Sequence, residues 1–323
     1  MVNWTEARIL FTPESPELRF LPEGPFALGP SRFSWVGIQH GAASQVGSLN
    51  IFDLHSGQNA SFTLPGRPGF ARPTDQPHKF IVGAEHQLAV FDTANRSWEP
   101  FCEGVDADVH NTIINDGMIW QDNIIFGTKD LEFKTTKAGL YLFRGRDRKL
   151  FRLRDDQICS NGKAILVDAA GQLSLLDIDT PTRKVVRYGL DIERGCLTPP
   201  TTAIDLAAAS GFPDGMVLTP DGQSLIISFY NPAEAAFGIT AQYSLLSGQC
   251  EHEWRTPGSP QNTCPLLLPR ADGSVQLIIT TAVEHMPAER LSRAPGSGCL
   301  YVAETSFRSE QLAFTTFPNN CLA

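Results

Sequence analysis

The chain has 323 residues, of which 42% are hydrophobic and 19% are charged, with 27 Gly and 23 Pro. This is the composition of a globular protein rich in turn-forming residues, and it has too little charge for a disordered chain. The formal net charge of −9 argues against a nucleic-acid partner, because binding to a phosphate backbone needs clustered Lys and Arg. We therefore expect a buried core and a function other than nucleic-acid binding.

The amino-terminal residues show no basic segment followed by an apolar stretch, and no apolar run approaches the ~20 residues of a membrane span. Seven widely spaced cysteines without a Cys-x-x-Cys pair favour reduced thiols over a disulfide framework or a cysteine zinc site. These features predict a cytoplasmic protein that has no membrane partner. We expect it to be a monomer or a weak homodimer.

In chain order, the predicted elements are short alternating or apolar runs, rich in β-branched and aromatic residues and separated by Gly, Pro, Asn and Asp. This pattern is typical of short strands joined by tight turns, and no long helical periodicity accompanies it. The clearest runs are 33–38, 48–54, 79–82, 88–92, 123–127, 140–143, 172–177, 223–229, 275–281 and 299–305.

A polar residue beside Gly or Pro recurs along the chain at intervals of about 50 residues, close to the length of a four-stranded propeller blade. One interval is twice as long, so a unit lacks its polar marker near Pro68-Gly69. Six units predict an all-β fold, a six-bladed β-propeller, in one domain over residues 1–323. The polar markers are Glu23, Asn115, Asn161, Asp214 and Cys264.

The first four markers are oxygen donors, and in a propeller the innermost strand of every blade begins at the rim of the central channel. Two carboxylates and two amides suit one divalent metal ion on the central axis, with Ca²⁺ expected first and Mn²⁺, Mg²⁺ or Zn²⁺ as alternatives. Asn-Asp-Gly and Asp-Gly are also common hairpin turns, so any single marker is explained by turn formation alone. The shared spacing favours a site.

These stretches resemble the SMP-30/gluconolactonase/luciferin-regenerating-enzyme-like family, which includes regucalcin and bacterial sugar lactonases. The resemblance implies a six-bladed propeller with one divalent metal bound by Glu23, Asn161 and Asp214, and Asn115 as a further ligand or substrate contact. It also implies hydrolysis of sugar lactones, with Asp214 as the acid/base group. The matching stretches are 22–25, 35–38, 115–117, 126–128, 139–141, 160–162, 213–216, 263–265 and 280–282.

The chain departs from the family pattern two residues before Asn115, where many sugar lactonases of this family have an Arg that binds substrate hydroxyls. Ile113 stands there instead and removes those hydrogen-bond donors. We therefore expect a higher kcat/KM for an alkyl-substituted or aromatic lactone than for gluconolactone. His110 and Glu132 are further candidates for substrate contact, although both also fit an exposed loop.

The predicted partner is a small lactone or ester, hydrolysed by a divalent-metal-dependent lactonase or esterase. Two other functions are compatible with the same residues: hydrolysis of aryl esters or organophosphates on the same metal site, and a non-catalytic binding propeller stabilised by metal. Cys264 fits a buried thiol better than a nucleophile, because no base adjoins it. The aromatic segment 229–238 is interpreted as a connection between strands, with a lid over the pocket as the alternative.

Overall fold

The computed structural model describes residues 2–312 and 315–321. The chain divides into two compact units, the first comprising Met1–Arg67 with Leu206–Ala313 and the second Pro68–Asp205 with Phe314–Ala323. The structure is almost entirely β, as the short alternating runs predict. The α-helices found in the described residues, α1 (Pro16–Phe20) and α2 (Ala288–Leu291), are both far too short to cross a membrane.

The strands are short and follow one another closely along the chain. They are β1 (Asn3–Glu6), β2 (Arg8–Phe11), β3 (Pro22–Ala27), β4 (Arg32–Gly37), β5 (Ser48–Asp53), β6 (Gln58–Thr63), β7 (Pro68–Pro73), β8 (Lys79–Ala84), β9 (Gln87–Asp92), β10 (Trp98–Cys102), β11 (Thr112–Trp120), β12 (Asn123–Asp130), β13 (Ala138–Arg144), β14 (Lys149–Gln157), β15 (Ser160–Val167), β16 (Leu173–Asp179), β17 (Lys184–Asp191), β18 (Cys196–Leu197), β19 (Thr201–Asp205), β20 (Phe212–Leu218), β21 (Ser224–Tyr230), β22 (Phe237–Ser244), β23 (Cys250–Pro257), β24 (Asn262–Pro269), β25 (Ser274–Thr281) and β26 (Leu300–Arg308). Single 3₁₀ turns lie at Gly145–Asp147, Thr180–Thr182, Ser309–Gln311 and Asn319–Cys321.

The first unit contains three sheets whose successive strands pair in antiparallel fashion: β3-β4-β5-β6, β20-β21-β22-β23 and β24-β25-β26. The amino-terminal segment completes two of them. Strand β1 pairs in parallel with β23, and β2 pairs in antiparallel fashion with β26. Two short strands from the start of the chain therefore form the outer edges of sheets made from its last third.

The second unit contains three further sheets of the same kind: β7-β8-β9-β10, β11-β12-β13-β14 and β15-β16-β17-β18. Strand β19 also pairs with β17 and extends the last of these sheets. The predicted runs coincide with strands. One example is the run 123–127, which lies within β12.

Burial within each sheet falls from the first strands to the last. All eight residues of β12 and of β24 are buried, whereas none of the six residues of the outer strand β6 is. Strands buried on both faces explain the nearly continuous apolar sequences, because each inner strand packs against neighbouring sheets. The polar markers of the sequence therefore lie on the most enclosed strands of the molecule.

Candidate metal centre

In the first unit, the beginnings of the inner strands β3, β20 and β24 lie side by side. The hydroxyl of Thr263 on β24 donates a hydrogen bond to the carbonyl oxygen of Pro22 on β3, at 2.7 Å. A Cβ at Gly215 on β20 would lie 2.5 Å from the sulfur of Cys264, so the bare backbone of Gly215 permits this packing. Positions that the sequence spaces about 50 residues apart are thus neighbours in this unit.

Glu23 and Asp214 occupy corresponding places on β3 and β20 and are only 7% and 9% exposed. Both lie at register shifts, between Glu23 and Phe26 and between Pro213 and Met216. A β-bulge of this kind redirects a side chain out of the regular alternation. The backbone of Gly24 turns through a φ of 52°, which a glycine adopts without strain, and its N–H donates to Glu23 Oε2 at 2.7 Å.

In the second unit, the inner strands β7, β11 and β15 show the same alignment. A Cβ at Gly69 would lie 2.2 Å from the backbone oxygen of Asn115, so these strands approach each other only because position 69 is glycine. Asn115 Nδ2 in turn donates to Asn161 Oδ1 at 2.7 Å and to the carbonyl oxygen of Ser160 at 3.0 Å. The unit without a polar marker therefore does begin near Gly69, as the doubled interval predicts.

The hydrogen bonds of these two amides fix the direction of their oxygens. Asn161 Nδ2 donates to Thr180 Oγ1 at 2.7 Å, so Asn161 Oδ1 faces Asn115 and retains a second lone pair. Asn115 Oδ1 accepts no hydrogen bond from residues 2–312 or 315–321. Asn115 and Asn161, which are 7% and 6% exposed as residues, thus present two oriented amide oxygens that a hard cation would accept as ligands.

A buried charge network lies directly behind Asn161. Lys163 Nζ donates to the carbonyl oxygen of Asn161 at 2.6 Å and to Ser160 Oγ at 2.9 Å, and it lies 3.5 Å from Asp177 Oδ1. Gln157 Nε2 donates to the other oxygen of Asp177 at 2.5 Å. Burial raises the pKa of Asp177, and the neighbouring Lys163 opposes that rise. This network could not be predicted from the sequence, where its only signal is Lys163 directly after Ser160-Asn161-Gly162.

The donor set fits a hard divalent cation. Carboxylate and amide oxygens are the ligands that Ca²⁺, Mg²⁺ and Mn²⁺ prefer. Across the part of the chain that the structure describes, no group of three or more His, Cys, Asp or Glu side chains is placed to hold a metal ion. The oxygen donors at the starts of the inner strands are two carboxylates, Glu23 and Asp214, in the first unit and two amides, Asn115 and Asn161, in the second.

The three further residues predicted to contact the substrate, His110, Glu132 and Ile113, differ in their exposure to solvent. His110 and Glu132 are exposed. Ile113 is completely buried, so it presents no apolar surface to a ligand here. Of the two effects predicted for Ile113 on substrate choice, the loss of the hydrogen-bond donors of an Arg remains. Directly across the strand pair from Ile113 stands Lys129 on β12. A charged donor therefore adjoins the position where the sequence alone indicated apolar contact.

The loop 131–137 that carries Glu132 is fixed by Asp130. The Asp130 carboxylate accepts hydrogen bonds from the backbone N–H groups of Glu132, Lys134 and Thr135, each at 3.0 Å. The Lys137 ammonium lies 3.1 Å from the same carboxylate. Burial alone would raise the pKa of Asp130, but these four contacts outweigh it and hold that pKa well below its usual value.

The aromatic segment 229–238 is a connection between strands, since β21 ends at Tyr230 and β22 begins at Phe237. It is docked on the loop that follows β25. The hydroxyl of Tyr230 donates to the carbonyl oxygen of Glu284 at 2.6 Å, and Arg290 Nη1 donates to the carbonyl oxygen of Pro232 at 2.6 Å. Cys264 is buried, as predicted for its thiol.

Comparison with known proteins extends these observations. The model of the SMP-30/gluconolactonase/LRE-like region matches residues 21–283. YvrE of Bacillus subtilis (strain 168), provisionally named a sugar lactone lactonase, is 29% identical over 189 residues, which are 58% of each chain. The matched segments span only 53% and 58% of the length of two curated relatives.

Two solved structures of similar proteins superimpose on most of the chain. The calcium-binding protein regucalcin from Agrobacterium tumefaciens strain C58 superimposes with a TM-score of 0.78 at 20% identity, covering 95% of this chain and 98% of its own. A luciferin-regenerating enzyme gives a TM-score of 0.77 at 16% identity, with 92% and 95% covered. This likeness shows the fold, an all-β six-bladed propeller, as the six repeats predict. With the family model matching most of its length, the chain belongs to the SMP-30/gluconolactonase/LRE-like family.

Proposed function

We propose that this protein is a lactonase in which Glu23, Asn161 and Asp214 hold one divalent metal ion, with Asn115 as a further ligand or substrate contact. The observation that carries the proposal is the pair of buried amides, Asn115 and Asn161, whose oxygens are oriented at corresponding starts of inner strands. Two buried carboxylates hold the corresponding positions of the first unit. Ca²⁺ is the first candidate, since the relative regucalcin is a calcium-binding protein.

The bound cation would supply Lewis acidity toward the carbonyl oxygen of the lactone. Hydrolysis adds the hydroxyl of water to the acyl carbon and returns a proton to the departing ring oxygen. Asp214 is the group proposed to accept the proton of water and to give it back. Asn115 Nδ2 is already used by Ser160 and Asn161, so Asn115 would contact a substrate hydroxyl through its Oδ1.

A substrate screen tests the proposal. The protein, stripped of metal by a chelator, is assayed on lactones, aryl esters and phosphotriesters with Ca²⁺, Mn²⁺, Mg²⁺ or Zn²⁺ restored. We expect metal-dependent hydrolysis of lactones. Faster hydrolysis of aryl esters or phosphotriesters would reassign the substrate, and metal binding without turnover of any of the three classes would identify a binding protein instead.

Asp214→Asn separates proton transfer from metal binding, because the amide keeps an oxygen ligand and loses most of the basicity. We expect kcat to fall about 10²–10⁴-fold, the usual contribution of a general acid/base. Asp221→Asn, in the exposed turn between β20 and β21, is the matched control and should retain the parental rate. If Asp214→Asn bound Ca²⁺ normally and still turned over at the parental rate, the assignment of the base would be wrong.

A further inference from the structure

Lys129 is a buried lysine whose charge has no partner among the residues that the structure describes. It lies near the end of β12 and is only 8% exposed. Two other lysines of the same unit form ion pairs: Lys137 with Asp130 at 3.1 Å and Lys163 with Asp177 at 3.5 Å. Within residues 2–312 and 315–321, no carboxylate or other acceptor lies within hydrogen-bonding or ion-pairing distance of the Lys129 ammonium.

The position of Lys129 connects it to the candidate metal centre. Its backbone forms an isolated antiparallel bridge with Cys159. The sulfur of Cys159 lies 3.7 Å from Asn115 Nδ2 and 3.5 Å from Asn161 Nδ2. Cys159 therefore contacts Lys129 through its backbone and the amides of Asn115 and Asn161 through its sulfur. This contact lies in the second unit, where β12 meets β15.

The Lys129 side chain is largely buried, but its ammonium nitrogen is not fully enclosed, so a ligand could reach it. Without a counterion among the described residues, a partly desolvated ammonium is less favourable than a paired one. A ligand that brings a negative charge would supply the missing counterion. One ammonium matches a singly charged carboxylate, whereas a phosphate dianion is usually bound by an Arg fork or by several donors.

Ile113, the residue opposite Lys129, is consistent with a negatively charged ligand at the ammonium. Ile113 and Lys129 are direct partners across β11 and β12, so their side chains leave the sheet on the same face. An Arg at position 113 would place a second cation directly opposite the ammonium, which is destabilising. In this chain the hydrogen-bond donor is thus carried by β12, and the residue opposite it, Ile113, adds no second positive charge.

We propose that Lys129 determines substrate specificity by binding a carboxylate on the lactone, so that the preferred substrate is the lactone of a sugar acid with a second acidic group. This inference rests on the proposed lactonase function. Substrate selectivity would then depend on an ion pair between Lys129 and the substrate carboxylate, and not on apolar contact with Ile113.

Three lactones of one sugar skeleton test the inference: gluconolactone, its analogue with a terminal carboxylate, and its analogue with a terminal phosphate. In the native protein we expect kcat/KM to be at least about tenfold higher for the carboxylate lactone than for gluconolactone, the value of one charge-assisted hydrogen bond. Lys129→Met should abolish that preference, and Lys129→Arg should retain part of it. Lys184→Met, which removes an exposed lysine of the same unit at the start of β17, should leave the preference unchanged.

Binding provides a readout that does not depend on turnover. Titration calorimetry with glucarate, the open-chain dicarboxylate, against glucitol, the neutral polyol, should show a preference for glucarate that Lys129→Met removes. If no lactone is hydrolysed but this binding preference depends on Lys129, the proposed reaction fails and the carboxylate site stands. An unchanged preference in a folded Lys129→Met protein, or a stronger preference for the phosphate lactone, would overturn the inference.

Discussion

At the scale of single residues, the Lys163–Asp177 pair is the strongest candidate for a structural role beside Asn161, one of the proposed metal ligands. Both side chains are buried, and Lys163 also fixes the backbone carbonyl oxygen of Asn161. Lys163→Met would leave the Asp177 carboxylate uncompensated in the interior. We expect the free energy of unfolding to fall by about 3–5 kcal/mol, measured by urea denaturation, together with weaker Ca²⁺ binding.

The control for this prediction replaces both partners. Lys163→Met combined with Asp177→Leu removes the pair without stranding a charge, and such apolar replacements are often neutral. The double variant should recover most of the stability lost in the single variant. Equal loss in both variants would show that Lys163 acts through its bonds to Ser160 and Asn161 rather than through Asp177.

The depressed pKa of Asp130 predicts how the stability of the protein responds to acid. Because the folded-state pKa lies below the unfolded value of ~3.9, the ionised carboxylate stabilises the fold fully above that value, and the contribution is lost as the pH falls further. Asp130→Asn should therefore lower the free energy of unfolding at pH 6 and flatten its decline below pH 4. Urea titrations between pH 3 and 6 measure this slope. A decline as steep as that of the native protein would contradict the prediction.

At the scale of elements, the contact between β7 and β11 depends on the absence of a side chain at Gly69. Gly69→Ala would bring its methyl group into the backbone oxygen of Asn115, which cannot rotate away. We expect a loss of about 1–3 kcal/mol in the free energy of unfolding, the usual cost of overpacking, and weaker Ca²⁺ binding because Asn115 must shift.

Gly37→Ala in β4 is the matched control for that substitution. Its Cβ would meet side-chain atoms alone, the hydroxyl of Ser48 at 3.0 Å and the ring of His40 at 3.8 Å, and side chains can rotate. Both losses should be smaller than for Gly69→Ala. Equal metal affinity in the Gly69→Ala and native proteins, measured by calorimetry, would show that the position of Asn115 does not depend on this packing.

The regular elements could be predicted because strands and turns leave local signals. The spacing of the polar markers revealed the repeats, and even the missing marker pointed to Gly69. The importance of Lys129 and Lys163 could not be predicted, since it depends on which residues face them across a strand pair. Nor did local sequence indicate that β1 pairs in parallel with β23, because that partner is distant in sequence and a four-residue strand carries little pattern.

At the scale of the whole molecule, a metal ion that binds only the folded protein should raise its stability. At a free Ca²⁺ concentration of 100 Kd the gain is about 2.7 kcal/mol, so Tm should increase by several degrees and keep rising with concentration. Scanning calorimetry of chelator-treated protein measures this effect. Asn161→Ala should weaken the dependence on Ca²⁺, and Asn123→Ala, outside the proposed ligand set, should preserve it. A Tm indifferent to Ca²⁺ in the native protein would argue against a resident ion.

The amino-terminal strands also constrain when the molecule can finish folding. Residues 8–11 leave the ribosome early, yet their hydrogen-bonding partner is β26, where Arg8 pairs with Val302 and Ile9 with Tyr301. The sheet β2-β26-β25-β24 therefore cannot be completed during most of translation. Until β26 emerges, β2 has no sheet to join, and until β2 docks, β26 exposes an unpaired edge open to aggregation. A stalled or prematurely terminated chain would retain such open edges, and we expect chaperones to bind the nascent protein until its last strands have docked.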